Sequence, residues 1–110
     1  MTRKRPGKVD DVLAEAKALL SAQFADKLKG IVLFGSYARG DFKEESDIDL
    51  LALLSPLGDR RTERKRIFSA VCDLSLKYDV VLSIVLMDYD VFRSRKTPLA
   101  LNVGREGIWL

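Results

Sequence analysis

Three short apolar runs, set among stretches with helical spacing, constrain this 110-residue chain more than any other feature. Ile31 to Phe34, Asp47 to Leu54 and Asp79 to Met87 have the length and the Val, Leu and Ile content of strands. Val9, Val12, Leu13, Ala16, Leu19, Leu20 and Phe24 recur every three or four residues and predict a helix over Val9 to Phe24. A second helix, capped by Asp59 or Thr62, is predicted to run to about Lys77, with Ile67, Val71, Leu74 and Tyr78 on its inner face. Gly35 to Gly40 reads as a glycine-bracketed turn, Asp41 to Ser46 as a polar loop, and Ser55-Pro56 as the close of the second strand. Asp88 to Arg95 and Pro98 to Arg105 suit short helices, Pro98 being tolerated in a first turn. Ile108 to Leu110 suits a small edge strand. Helices alternating with strands imply an α/β (α+β) protein with a small mixed sheet of three or four strands. The size suits one domain spanning 1–110. In the third run the even positions Val80, Leu82, Ile84 and Leu86 are apolar, so that face should pack on helices. The odd face, with Asp79 and Ser83, should be more open.

Composition narrows the chemistry. Histidine is absent, which removes Ser-His-Asp and Cys-His catalysis and His-ligated zinc. The lone cysteine, Cys72, permits no intramolecular disulfide, suits a reducing cytoplasm, and is expected to be a small buried core residue. Apolar runs are far shorter than the roughly 20 residues that span a bilayer, and no apolar core follows the basic start Met1 to Lys8, so neither a membrane span nor a secretory signal is expected. The net charge of +3 is too weak to argue for nucleic acid. Its basic clusters, Arg3 to Lys8 and Arg60, Arg61, Arg64, Lys65 and Arg66, read better as solvated helix faces than as phosphate patches.

The chemistry concentrates in Gly35-Ser36-Tyr37-Ala38-Arg39-Gly40 and Ser46-Asp47-Ile48-Asp49-Leu50. Asp47 and Asp49 are two apart on a predicted strand and leave the same face, about 5–7 Å from each other. Unpartnered, they repel, and a hard divalent cation such as Mg²⁺ relieves that repulsion. Gly35 permits close backbone approach, Ser36 can donate to a phosphate oxygen, and Arg39 lies one helical turn on, within reach of the same anion. Ser46 is most simply a turn residue. An anion cradle thus adjoins a carboxylate pair.

This segment resembles the Gly-Ser…Asp-x-Asp signature of the DNA polymerase β-type nucleotidyltransferase superfamily, and its minimal nucleotidyltransferases especially, which read Gly-Ser-x-Ala-Arg-Gly, a short loop, then Ser-Asp-Ile-Asp-Leu. The tail, Thr97-Pro98-Leu99 through Arg105-Glu106-Gly107-Ile108, is similar to the end of many such proteins. The resemblance implies the nucleotidyltransferase fold, with helices mainly on one face of the sheet. It also implies that Asp47 and Asp49 hold Mg²⁺ or Mn²⁺ and that Gly35, Ser36, Arg39 and Ser46 bind an NTP, ATP above all. A hydroxyl would attack the α-phosphate and pyrophosphate would leave. The superfamily carries a third carboxylate on a later strand. Asp79 fits its sequence shape and is taken as the third catalytic and metal residue, while Ser83 shares its parity and lies deeper in the strand.

By the same resemblance, the acceptor hydroxyl comes from another protein, a small all-helical HEPN-type partner in an antitoxin–toxin pair, and the group transferred is AMP. The second reading is a weakly active or inactive binding module that neutralises such a partner. Homo-oligomerisation is compatible with either. Leu99, Leu101, Val103, Ile108 and Trp109 have few residues left to cover them, and form either a partner surface or the last piece of the core.

Overall fold

The computed structural model describes residues 4–110. Of the basic start, Arg3 lies outside the described residues, and Arg5 pairs with Asp10 at 2.9 Å. Helix α1 (Gly7–Phe24) turns the predicted stripe inward, burying Val9, Val12, Leu13, Ala16, Leu20 and Phe24. It leads through a 3₁₀ turn, Ala25–Lys27, into β1 (Leu28–Phe34). A single helical turn, α2 (Ser36–Arg39), and a loop connect to β2 (Ile48–Leu54). Helix α3 (Arg60–Tyr78) begins at Asp59, which accepts from the Arg61 N–H and the Thr62 hydroxyl. Strand β3 (Leu82–Asp88), α4 (Tyr89–Ser94), α5 (Pro98–Glu106) and β4 (Ile108–Trp109) complete the chain. Thr97 caps α5 by accepting from the Ala100 N–H at 3.1 Å, and Pro98 occupies the first turn, where no intrahelical donor is needed.

The four strands are ordered β3-β2-β1-β4. β1 is antiparallel to β2 and β4, and β2 is parallel to β3, so the sheet is mixed as expected. The long helices α1 and α3 cover one face, packing on Ile31, Leu33, Ile48, Leu50, Ala52, Leu54, Leu82 and Leu86. The short α4 and α5 cover part of the other, where Val32, Leu51, Leu53 and Met87 meet Phe92, Ala100 and Val103. Glu15 of α1 accepts from Tyr78 and Lys77 of α3. The Tyr78 hydroxyl, then Lys77, holds the Glu15 carboxyl below its ordinary range. Among the described residues no helix is long and apolar enough to cross a membrane.

Two expectations need correction. The third strand starts at Leu82, not at Asp79. Asp79 is instead the left-handed cap of α3, at φ 51°, and its N–H returns to the carbonyls of Leu76 and Ser75. The Val80 N–H also bonds the Ser75 carbonyl. Closing the last carbonyls of α3 takes up these residues before an extended backbone can begin. Parity within the strand nevertheless holds: Leu82, Ile84 and Leu86 face α1 and α3, while Val85 and Met87 face α4 and α5. The second correction concerns Cys72, which is exposed on α3 and not a core residue. Its helical neighbour Leu74 takes the inward position instead.

Candidate nucleotide site

The site is built where the end of β1 meets the start of β2. Phe34 is the register partner of Asp49, so the turn leaving β1 lies beside the carboxylates entering β2. Gly35 sits at φ 76° and ψ −154°, a conformation that essentially only glycine adopts. A Cβ there would stand 2.4 Å from Asp49 Oδ2. Glycine is therefore required twice over, by the backbone angle and by the carboxylate pressed against it. The Gly35 carbonyl accepts from the N–H groups of both Ala38 and Arg39, closing α2, and Gly40 ends it in the left-handed region. Tyr37 is buried and stacks on Phe42, with centroids 4.6 Å apart, which anchors the polar loop of 41–46. Ser46 Oγ accepts from the Lys43 N–H at 2.7 Å, the expected turn role.

Gly35, Ser36, Arg39, Ser46, Asp47 and Asp49 all line one cavity of about 700 Å³. Asp47 is exposed and Asp49 half-buried. Burial, and next the neighbouring charge of Asp47, pushes the Asp49 carboxyl above its ordinary range, with Arg39 opposing. Arg39 lies 3.2 Å from Asp41 and 3.7 Å from Glu106, and the hydrogen bond to Asp41 is the main reason its guanidinium holds its proton more firmly. The chemistry of this donor set fits a divalent cation: two carboxylates on one side of the cavity, one of them made harder to ionise by burial and by the charge of the other.

Asp79 is not brought to this cavity. It lines a separate depression with Lys8, Glu44, Glu45 and Ser46, because it caps α3 and never enters the strand. Ser83 is the register partner of Asp49 across the parallel β2–β3 pair, so it occupies the level at which a third carboxylate on β3 would stand. Among the described residues, no three Asp, Glu, His or Cys side chains converge as a metal-holding group.

Sequence reasoning missed the opposite wall, formed by Leu99, Asn102, Val103 and Glu106 of α5. Their spacing was the available signal, since positions three, four and seven apart share one helical face. Reading Leu99, Leu101 and Val103 as one apolar set obscured it. Leu101 points away and is exposed, whereas Val103 is buried. Trp109 both covers and protrudes: it meets Phe92 edge-on at 5.9 Å and lies over Gly30, yet stays half exposed.

Comparison with known proteins shows the family and the fold. A family model for the nucleotidyltransferase domain matches residues 14–98. The chain belongs to that family. Two proteins of Methanocaldococcus jannaschii, each named "Putative protein adenylyltransferase", are 40% identical over 76 residues and 37% identical over 89 residues. These matches cover 69% and 80% of this chain, and 76% and 83% of the relatives. Among solved structures, the crystal structure of a toxin-antitoxin with AMP-PNP is similar at a TM-score of 0.63 and 28% identity, over 87% of this chain and 69% of that one. The structure of a "putative minimal nucleotidyltransferase" is similar at 0.59 and 29% identity, over 92% and 94%. The nucleotidyltransferase motif from Gly35 to Asp49 falls inside the matched segment, and the α5 wall falls beyond its end.

Proposed function

We propose that this nucleotidyltransferase-family chain transfers AMP from ATP to a hydroxyl on a protein partner, as the antitoxin-like half of a pair with a small helical HEPN-type protein. The observation that carries the nucleotide reading is the convergence of Gly35, Ser36, Arg39, Ser46, Asp47 and Asp49 on one cavity. The names of the archaeal relatives support a protein acceptor and AMP, and the toxin-antitoxin neighbour with AMP-PNP supports a toxin partner and a triphosphate. In this reading Asp47 and Asp49 hold Mg²⁺ or Mn²⁺, which supplies neutralisation of the charge on the triphosphate and on the departing pyrophosphate. The Ser36 hydroxyl donates to a phosphate oxygen, and Arg39 exchanges its exposed partners Asp41 and Glu106 for the more highly charged phosphates. The acceptor oxygen bonds to the α-phosphorus as the bond to the β-phosphate oxygen breaks, and the proton passes to water. Positioning and charge neutralisation carry the acceleration.

A specific observation favours a second reading, in which the chain binds nucleotide and partner with little turnover. Ser83 stands level with Asp49, and two carboxylates activate an attacking hydroxyl poorly. One experiment addresses both. The chain is co-purified with its helical partner and given ATP labelled at the α- or γ-phosphate, with Mg²⁺. The transfer reading expects slow α-label incorporation into the partner, none from γ-label, loss in Asp47→Asn/Asp49→Asn, and faster incorporation in Ser83→Asp. A tight complex that never acquires label, in wild type or Ser83→Asp, supports the binding module and sinks transfer.

A further inference from the structure

Strand β3 is one of the two edges of the sheet, and it carries neither the lysine nor the proline that commonly guards an edge against pairing. Beside that edge, between α3 and β3, runs a groove of about 550 Å³. Its walls include Phe68, Leu76 and Val81, which are 68%, 81% and 58% exposed and are the most exposed large apolar side chains among the described residues. Isolated exposed apolar residues need no explanation, but three along one groove at an open strand edge do. The groove continues through Arg64 and Phe68 into a second depression lined by Arg60, Arg61 and Lys65. The single carboxylate there, Asp59, is engaged in capping α3. Among the described residues, none of Arg60, Arg61, Arg64 and Lys65 forms an ion pair; the nearby Arg66 takes Glu63.

We propose that this α3–β3 edge docks an extended segment of a protein partner, apolar where it faces Phe68, Leu76 and Val81 and acidic where it reaches Arg60 to Lys65. Backbone pairing along β3 gives affinity, and the groove and basic end give specificity. Charge argues against a second copy as occupant. A self-complementary interface repeats the same patch, and apart from the capping Asp59 every charged residue lining these two depressions is basic. Ser83 lines the groove and is the register partner of Asp49, so a segment lying on β3 passes one strand away from that carboxylate. Delivery of an acceptor hydroxyl there rests on the transfer reading; docking itself does not.

The test uses a fluorescein-labelled peptide of alternating Val and Ser ending in three Glu, a second peptide ending in three Lys, and a single-stranded oligonucleotide of similar length. Binding to the full chain is followed by anisotropy at low and physiological salt. The Glu-ended peptide should bind at least tenfold more tightly than the Lys-ended one. Leu76→Ser and Arg64→Glu, both at exposed positions, should each weaken it severalfold, while NTP binding and Tm stay unchanged. Arg64→Glu should narrow the preference for the Glu end. No binding, or equal binding of both peptides, overturns the proposal. Tighter binding of the oligonucleotide replaces it with a nucleic-acid surface. A concentration-dependent dimer abolished by Leu76→Ser replaces it with self-association. Because NTP binding is read separately, failure of docking and failure of the nucleotide site are distinguishable.

Discussion

The two faces of β2 make different use of the same seven residues. On the α1–α3 face, Ile48, Leu50, Ala52 and Leu54 are fully buried from one end of the strand to the other. On the opposite face Leu51 and Leu53 are as deeply buried under α4 and α5, and then the character changes within one step, to Asp49 and, just before the strand, Asp47. The helix covering the second face turns polar at the same level, presenting Asn102 and Glu106 across the cavity. One face is scaffold throughout. The other is scaffold for part of its length and candidate site for the rest, so Asp49 stands on a strand packed from behind, with Asp47 just ahead of it.

The strongest way to break this contrast is to exchange stability for function between neighbours. Leu50→Ala removes fully buried side chain and should cost about 2–5 kcal/mol in denaturant unfolding, whereas Asp49→Ala, one residue away, should abolish Mg²⁺-dependent NTP binding with the fold intact. Equal destabilisation by both would mean that the site face is structural after all.

Gly35→Ala tests the join between the two regions. It forces a side chain into a glycine-only conformation and against Asp49 Oδ2, so it should cost about 1–3 kcal/mol of stability and also disturb the carboxylate. Calorimetry should show weaker NTP binding together with the lowered Tm; a normal affinity would remove Gly35 from the site.

Ser36→Ala and Arg39→Ala sharpen the comparison from the site side. Each should weaken triphosphate affinity by about 1–3 kcal/mol, the scale of hydrogen bonds to charged groups, and leave Tm almost unchanged. A large loss of stability at normal affinity would make Gly35–Gly40 an ordinary turn.

The smallest effect concerns the charge on Asp49. Its carboxyl is raised by burial and by Asp47. A raised carboxyl stabilises the fold only while protonated, fully so below the unfolded value of about 3.9, and that contribution is lost as pH rises through the folded value. At neutral pH the charge therefore costs stability. Asp49→Asn should raise Tm at pH 7 by the equivalent of less than about 1 kcal/mol, since solvent still screens a carboxylate that is only half-buried. The gain should fade below pH of about 4. Thermal melts across that range, without metal, check the sign.

Much of this was legible in the residues. Helical spacing located α1 and the inner face of α3, alternation gave the two faces of β3, and the Gly35 to Leu50 motif named six of the residues that line the cavity, though none of its α5 wall. Periodicity could not place the start of β3, because Asp79 satisfies a strand pattern and a helix cap equally well, and only the return of its N–H to Leu76 and Ser75 distinguishes them. Cys72 lies off the Ile67, Val71, Leu74 and Tyr78 stripe and turns toward solvent; the expectation of a buried thiol followed residue type where helical spacing decided.

By itself the sequence determined which residues are chemically fit for a nucleotide site, since that depends on side-chain type and short spacing along the chain. Tertiary structure alone decided which of them meet. Pairing β2 parallel to β3 set Ser83, not Asp79, beside Asp49, and folding α5 back over the sheet brought Glu106 to Arg39. Both outcomes depend on the register and packing of segments far apart in the chain, and neither is encoded in the local period of any one of them.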